Sequence, residues 1–354
     1  MRATLSAKTL HQSFISWSYS TLASAPPAQH MSAHCLHLVL DFDGTLTITS
    51  TLPIIYNIGH RLNPSCPSWQ SISQAYMEDY DRLKSTSVKP TTLSQELKWL
   101  ESLRAIEYRS ITRVEATNVF RNVSKELMHS AAATAVRDRQ IEMRPGWEKL
   151  VKKAMERKGR VGIVSVGWSP DLIRGCLSAS PDRVGAAGQD GNLEKGFDVA
   201  LVDVRANNVL GGDGGKMDRS REAPSVDQRS RILTAADKLR AMTDVVGTDH
   251  PDHSRPLILY VGDSTTDLEC LLHADVGICL SGEPAAMTRE QRKLTETLNR
   301  AGIDRRWIGD IKEGDVEVPL VPSTDPNEVL WWAKDFDEIC QSSLFSARKH
   351  VDGN

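Results

Sequence analysis

Two carboxylates, Asp41 and Asp43, stand immediately after the apolar run Leu36–Leu40 and just before Gly44-Thr45. A carboxylate in such a place can act as a nucleophile while its neighbour moves the proton of a leaving group. The same residues could instead form an Asx-type turn that caps a strand. A second pair, Asp263 and Asp267 in the segment Gly262-Asp263-Ser264-Thr265-Thr266-Asp267, follows the apolar run Leu257–Val261. Hard oxygen ligands on a turn suit Mg²⁺, which takes few protein carboxylates and keeps room for water and phosphate. Asp263 or Ser264 could also cap a helix with Asp267 in its first turn, a role compatible with metal binding. Between the two pairs, Ser165 follows Ile163-Val164 and precedes Val166-Gly167-Trp168. Its hydroxyl and the next backbone amides, those of Val166 and Gly167, would make an anion-holding concavity. Lys238, in Ala236-Asp237-Lys238, supplies the cation that four converging acids and a phosphate would require, although a lone helical lysine is ordinarily solvated.

These residues need a scaffold that gathers them. Leu36–Leu40 reads as a buried strand of a parallel sheet, and such sheets bind ligands beyond the carboxyl ends of their strands. From Ser68 to Val136 the spacing predicts three helices. The first carries Trp69, Ile72, Ala75, Tyr76 and Tyr80, the second Leu93, Leu97, Leu100, Leu103 and Ile106, the third Val114, Val119, Val123 and Leu127. Beyond Pro145 helices and strands alternate. Helices are predicted at Trp147–Lys158, Pro170–Leu177, Ile232–Met242 and Thr266–His273, with a closing helix at Val329–Cys340. Strands are predicted at Val161–Ser165, Phe197–Val204, Leu257–Val261, Val276–Leu280 and Val316–Leu320. This alternation indicates an α/β fold, a doubly wound parallel sheet, with an all-helical cap inserted after the first strand. The expected organisation is a core formed by 34–52 and 141–345, a helical cap at 53–140, and a disordered or targeting segment at 1–33. The cap is expected to act as a lid that excludes water and selects the substrate.

The 354 residues fit about two domains at roughly 150 residues each. With 40% hydrophobic and 25% charged residues the composition is that of a globular chain. Forty-three basic against 46 acidic residues leave a net charge of −3, which argues against a dedicated nucleic-acid or anionic-membrane binder. No apolar run approaches the roughly 18 residues needed to span a bilayer. The six cysteines form no C-x-x-C pair, so reduced thiols are expected rather than a zinc or disulfide framework. No acid precedes Asp41, and Ser, Thr and Ala are frequent there. That bias suits a transit peptide, a disordered tail, or an overlong start ahead of Met31. The expected compartment is cytoplasmic, with mitochondrial as the alternative.

Taken in order, DFDGTLT, a strand-end serine, a helical lysine and GDSTTD resemble the haloacid dehalogenase superfamily of aspartate-nucleophile phosphohydrolases. The resemblance is greatest to its phosphoserine-phosphatase-like branch, and to fungal members with SVGWS after the second strand. It implies a Rossmann-like core and a Mg²⁺-dependent phosphatase acting on a small phosphorylated metabolite. It implies that Asp41 attacks phosphorus and that Asp43 protonates the leaving oxygen and then activates water. Ser165, Val166 and Gly167 would hold phosphoryl oxygens, and Lys238 would orient Asp41. The metal would be held by Asp41, the main-chain carbonyl of Asp43 and Asp263, with Asp267 ligating or supporting. The stretch Ile48–Leu52 lacks the acid that related phosphatases place there to meet a substrate amine, so the resemblance does not extend to phosphoserine as substrate. The Gly-rich segment from Gly211 to Ser230 lacks the G-x-x-x-x-G-K-[ST] pattern and reads as a surface loop. A protein of the same fold that binds without turnover is the alternative. A dinucleotide-dependent oxidoreductase is disfavoured, because no G-x-G-x-x-G follows the first strand.

Overall fold

The computed structural model describes residues 35–179, 198–208, 231–247, 255–312 and 329–345. Its centre is a sheet of seven strands: β1 (Leu36–Leu40), β2 (Val161–Val164), β3 (Val202–Arg205), β4 (Leu257–Gly262), β5 (Val276–Leu280), β6 (Asp304–Trp307) and β7 (Val329–Ala333). Every neighbouring pair is parallel, in the order β3-β2-β1-β4-β5-β7-β6. The chain runs outward from β1 to β2 and β3, then returns to the other side of β1 for β4. The direction of winding therefore switches between β1 and β4, where open parallel sheets bind their ligands.

Both faces of the sheet are buried, which is why its central strands are predominantly apolar rather than alternating, His37 of β1 excepted. Leu38, Leu40, Ile163, Leu259, Val261 and Ile278 enter one core. Val39, Val164, Tyr260 and Cys279 enter the other.

Five helices lie between β1 and β2 before the chain re-enters the core: α1 (Leu52–Leu62), α2 (Trp69–Thr86), α3 (Leu93–Ser102), α4 (Arg104–Thr117) and α5 (Lys125–Arg137). Among the described residues the remaining α-helices are α6 (Trp147–Glu156), α7 (Pro170–Ser178), α8 (Ala235–Val246), α9 (Leu268–His273), α10 (Arg289–Ala301) and α11 (Phe336–Gln341). The inserted helices share their core with the sheet. Helix α5 packs on α7 so closely that a Cβ at Gly175 would lie 2.3 Å from the His129 carbonyl oxygen. Helix α3 packs on α8 and α10, where the buried Glu96 pairs with Arg300 at 2.6 Å. The two chain crossings into the insertion are tied by Ile48 N–H to the Glu142 carbonyl (2.9 Å) and Arg144 N–H to the Leu46 carbonyl (2.7 Å).

Several expected elements differ. The closing helix Val329–Cys340 is instead strand β7 followed by α11. The β-branched and aromatic run Val-Leu-Trp-Trp-Ala pairs between β5 and β6, and Asp335 caps the helix that follows. The helix predicted from Ile232 starts at Ala235, because Asp237 folds back to accept the amides of Leu233 and Thr234. Residues Thr265–Asp267 form a 3-10 turn ahead of α9, and Val199–Leu201 form another ahead of β3. In the insertion five helices replace three. The second expected helix breaks at Leu103. The third does not exist in the expected phase, because Asn118 (φ 54°) and Asn122 (φ 66°) adopt left-handed backbone between α4 and α5. Helices α1 and α10 and the polar edge strand β6 add to the expected elements. Val316–Leu320, the Gly211–Ser230 loop and residues 1–33 lie outside the described residues. Among the described residues no helix is long and apolar enough to cross a membrane.

Candidate active site

Register brings the carboxylates together. Leu40 lies opposite Ile163 of β2 and Val261 of β4, so Asp41, Ser165 and Asp263 leave neighbouring strands at one edge of the sheet. The Asp41 amide donates to the Val261 carbonyl at 2.9 Å, carrying the β1–β4 ladder up to the site itself. Asp41, Asp263 and Asp267 are buried, and each offers a carboxylate oxygen within 4.8 Å of the others.

Lys238 projects into this group from α8, fully buried. Its Nζ donates to Asp41 Oδ1 and to Asp267 Oδ1, both at 2.5 Å. Burial alone would discharge the ammonium, but Asp267 and Asp41 outweigh it and hold the lysine protonated above its ordinary value. Burial, seconded by the Asp267 charge and opposed by Lys238, pushes the Asp41 carboxyl up to about 7. Burial and the charges of Asp41 and Asp267 also hold Asp263 well above the ordinary carboxylate range.

Asp267 is saturated by donors. Its Oδ1 receives the Tyr260 hydroxyl at 2.6 Å besides Lys238. Its Oδ2 receives the amides of Asp263 (3.2 Å) and Ser264 (2.9 Å) and the Ser264 hydroxyl (2.9 Å). Ser264 and Asp267 thus form a reciprocal cap on the turn, the capping alternative open in the sequence. Asp263 Oδ1 accepts the Thr45 hydroxyl at 3.0 Å.

Asp43 stands outside the triad on the turn after β1. Its Oδ1 accepts the Thr51 amide at 2.7 Å, and burial raises its pKa against that bond. Gly44, at φ +84°, makes the turn possible, and a Cβ there would lie 2.4 Å from Asp263 Oδ2. The Gly167 amide donates to Ser165 Oγ at 2.9 Å and so orients the hydroxyl. A Cβ at Gly167 would be 3.8 Å from Asp43 Oδ2, which puts this loop beside the second carboxylate.

Four supporting residues were not singled out in the sequence. Thr45 and Tyr260 hold the two acids of the second motif. Arg144 donates to the carbonyls of Gly44 (2.8 Å) and Thr45 (3.0 Å), pinning the turn that carries Asp43. Arg104, at the start of α4, clasps the buried Asp237 with two bonds of 2.9 and 3.0 Å, one residue before Lys238. A lone tyrosine hydroxyl in the strand Leu-Ile-Leu-Tyr-Val-Gly was the one available signal.

The donor set suits a hard divalent cation. Lys238 pairs with Asp41 and Asp267, while Asp263 lies beside them without an ammonium of its own, so a cation bound there would favour the ionised form that burial disfavours. In fold class and motif order the chain resembles the haloacid dehalogenase-like hydrolases. No family model matches it. It is 22% identical over 290 residues to Cold tolerance protein 1 of Saccharomyces cerevisiae, spanning 74% of this chain and 83% of that one. It is 23% identical over 312 residues to a CTO1 family protein of Schizosaccharomyces pombe, spanning 86% and 98%. The Bifunctional TH2 protein, mitochondrial, of Arabidopsis thaliana is 24% identical over 283 residues, which cover 72% of this chain but 41% of that longer protein. Similar solved structures include a phosphoserine phosphatase as a phospho-aspartyl intermediate analogue, 16% identical with a TM-score of 0.36 over 75% of this chain and 98% of that one. A HAD family hydrolase from Salmonella enterica is 17% identical with a TM-score of 0.39, over 71% and 64%.

Proposed function

We propose that the chain is a phosphatase that hydrolyses a small phosphomonoester through an aspartyl-phosphate on Asp41. The observation that carries this reading is the bridge from Lys238 Nζ to Asp41 and Asp267 beside Asp263, at the point where the sheet changes its direction of winding.

Lys238 fixes Asp41 by one oxygen and leaves the other for attack on phosphorus. Asp43 stands one residue beyond Phe42, its carboxyl raised by burial. A carboxyl shifted in this direction holds its proton more firmly than a solvated one, which suits a group that gives a proton to the leaving oxygen and later takes one from the hydrolytic water. Ser165 Oγ and the Val166 amide would bind phosphoryl oxygens, with the Gly167 amide orienting Ser165. Asp263 and Asp41, with the Asp43 carbonyl, would hold Mg²⁺, while Asp267 orients Lys238 and the turn around Asp263. Bound there, the ion would neutralise charge on the phosphoryl group. Phosphoryl transfer asks for little beyond such positioning and charge balance. The expected compartment stays cytoplasmic, with mitochondrial the alternative that the name of the Arabidopsis relative brings to mind.

Turnover of p-nitrophenyl phosphate with Mg²⁺ tests the proposal. Asp41→Asn is expected to lose on the order of a thousandfold or more in kcat. Binding of orthovanadate by a wild type that hydrolyses no ester would favour the binding protein instead. Full activity in Asp41→Asn would remove Asp41 as nucleophile.

A further inference from the structure

We propose that Asn207 is a positioning residue that locks the phosphoryl-binding loop to the segment leading into the Lys238 helix. The inference rests on the phosphatase reading of the site. Asn207 lies two residues beyond β3 and is 6% exposed. Its backbone amide donates to the Gly167 carbonyl at 3.0 Å. Its Nδ2 donates to the Val166 carbonyl at 3.0 Å and to the Ile232 carbonyl at 2.9 Å. Its Oδ1 accepts the Ile232 amide at 3.0 Å.

The consequence for the loop follows from peptide geometry. In a trans peptide the C=O and N–H of one unit point in opposite directions. With the carbonyls of Val166 and Gly167 both drawn to Asn207, the amides of Gly167 and Trp168 are turned the other way. The Gly167 amide indeed reaches Ser165 Oγ on that side. Asn207 therefore sets two successive peptide planes beside Ser165, and the turned-out Trp168 amide becomes a further anion donor. At its other end the same carboxamide holds both backbone groups of Ile232, ahead of the capped start of α8. One side chain thus fixes the distance between the loop that holds the phosphoryl group and the helix whose lysine holds Asp41.

Only a carboxamide meets these demands. Aspartate would keep the bond from the Ile232 amide but lose both donors and set a charge against two carbonyls. Alanine would take their partner from three backbone groups, the two of Ile232 buried.

Asn63 provides the control. Its Nδ2 donates to the carbonyls of Val119 (2.8 Å), Arg121 (3.0 Å) and Gly59 (3.3 Å) within the inserted helices. The full-length Asn207→Ala, Asn207→Asp and Asn63→Ala proteins are compared for Tm, for kcat and KM on p-nitrophenyl phosphate, and for the inhibition constant of orthovanadate. Asn207→Ala and Asn207→Asp should raise KM and the vanadate constant about tenfold, the ratio of one lost hydrogen bond. Asn63→Ala should lower Tm and leave both constants unchanged. An Asn207→Ala protein that loses Tm but keeps wild-type KM and vanadate inhibition overturns the lock. Wild-type amide hydrogen exchange needs no variant to fold. Gly167, Trp168 and Ile232 should gain protection together when vanadate binds, and protection confined to the loop also overturns the lock. A wild type without phosphatase activity would instead defeat the parent reading.

Discussion

Replacing Gly44 by alanine should damage the site through a single atom. Gly44 has φ +84°, a conformation that costs an L-residue about 1–2 kcal/mol. The added Cβ would stand 2.4 Å from Oδ2, 2.7 Å from Oδ1 and 2.8 Å from Cγ of Asp263. Ordinary contact begins near 3.4 Å, so the carboxylate must retreat by about 1 Å. That retreat breaks the 3.0 Å bond from Thr45, since little remains of a hydrogen bond beyond about 3.5 Å. It also takes Asp263 out of register with Asp41. A displacement of about 1 Å in a catalytic constellation can cost about a hundredfold in rate. Gly302→Ala separates backbone strain from contact, because Gly302 has φ +74° and nothing within 4 Å of its would-be Cβ. Both proteins should lose stability, by about 1–2 kcal/mol from the strain alone. Only Gly44→Ala should lose about two orders of magnitude in kcat/KM and require more Mg²⁺ for half-maximal rate. Initial rates on p-nitrophenyl phosphate across a Mg²⁺ titration, with melts on the same samples, read both effects. If Gly44→Ala retains activity within about threefold of Gly302→Ala, the contact with Asp263 does not govern the chemistry.

Three more outcomes follow from the same geometry. Tyr260→Phe removes the 2.6 Å bond to Asp267 and should cost about 1–2 kcal/mol in a denaturant melt, with a smaller kcat; a wild-type melt would show the bond to be idle. Arg104→Ala strips the two-bond clasp from buried Asp237 and should cost about 2–3 kcal/mol together with a fall in kcat, while Arg104→Lys should recover part of the stability; an active, stable Arg104→Ala would sever α4 from the lysine helix. Because the Asp41 carboxyl is raised to about 7, the metal-free folded chain holds a proton there that the unfolded chain has shed, so its stability should rise as pH falls from about 7 toward 4; Mg²⁺ must displace that proton, so the Mg²⁺-induced rise in Tm should grow between pH 6 and 8, and a rise independent of pH would place the ion elsewhere.

What the sequence disclosed was the set of strand-end residues. An apolar run that stops at an acid marks both a buried parallel strand and the edge at which a ligand binds. Two such runs and one strand-end serine were therefore enough to expect convergence. The supporting shell left almost no trace. Arg144 acts on carbonyls, Asn207 on peptide units and Thr45 on a carboxylate 218 positions away, and those contacts exist only once the strand order sets β1 between β2 and β4. The same limit explains the closing segment. Val329–Ala333 is expected from the sequence as the start of a closing helix, and it is the slot between β5 and β6 that makes it a strand. Within the insertion, asparagine at positive φ broke the helices where the apolar spacing continued, so the pattern of valines outlasted the helix that it suggested.

The charge arrangement carries the argument one step further. Lys238 faces Asp41 and Asp267, leaving Asp263 to raise the negative excess of the site. Arg144 directs its guanidinium at the carbonyls of Gly44 and Thr45 and so steadies the turn. A phosphate monoester brings still more negative charge to this dry edge. The Lys238 ammonium is fully buried and already donates to both Asp41 and Asp267. On the phosphatase reading, a divalent cation from solution would then offset the charge of the ester. On the same reading Asp41, Asp263 and the Asp43 carbonyl would hold that cation, while Asn207 and Gly44 keep the adjoining loops in place.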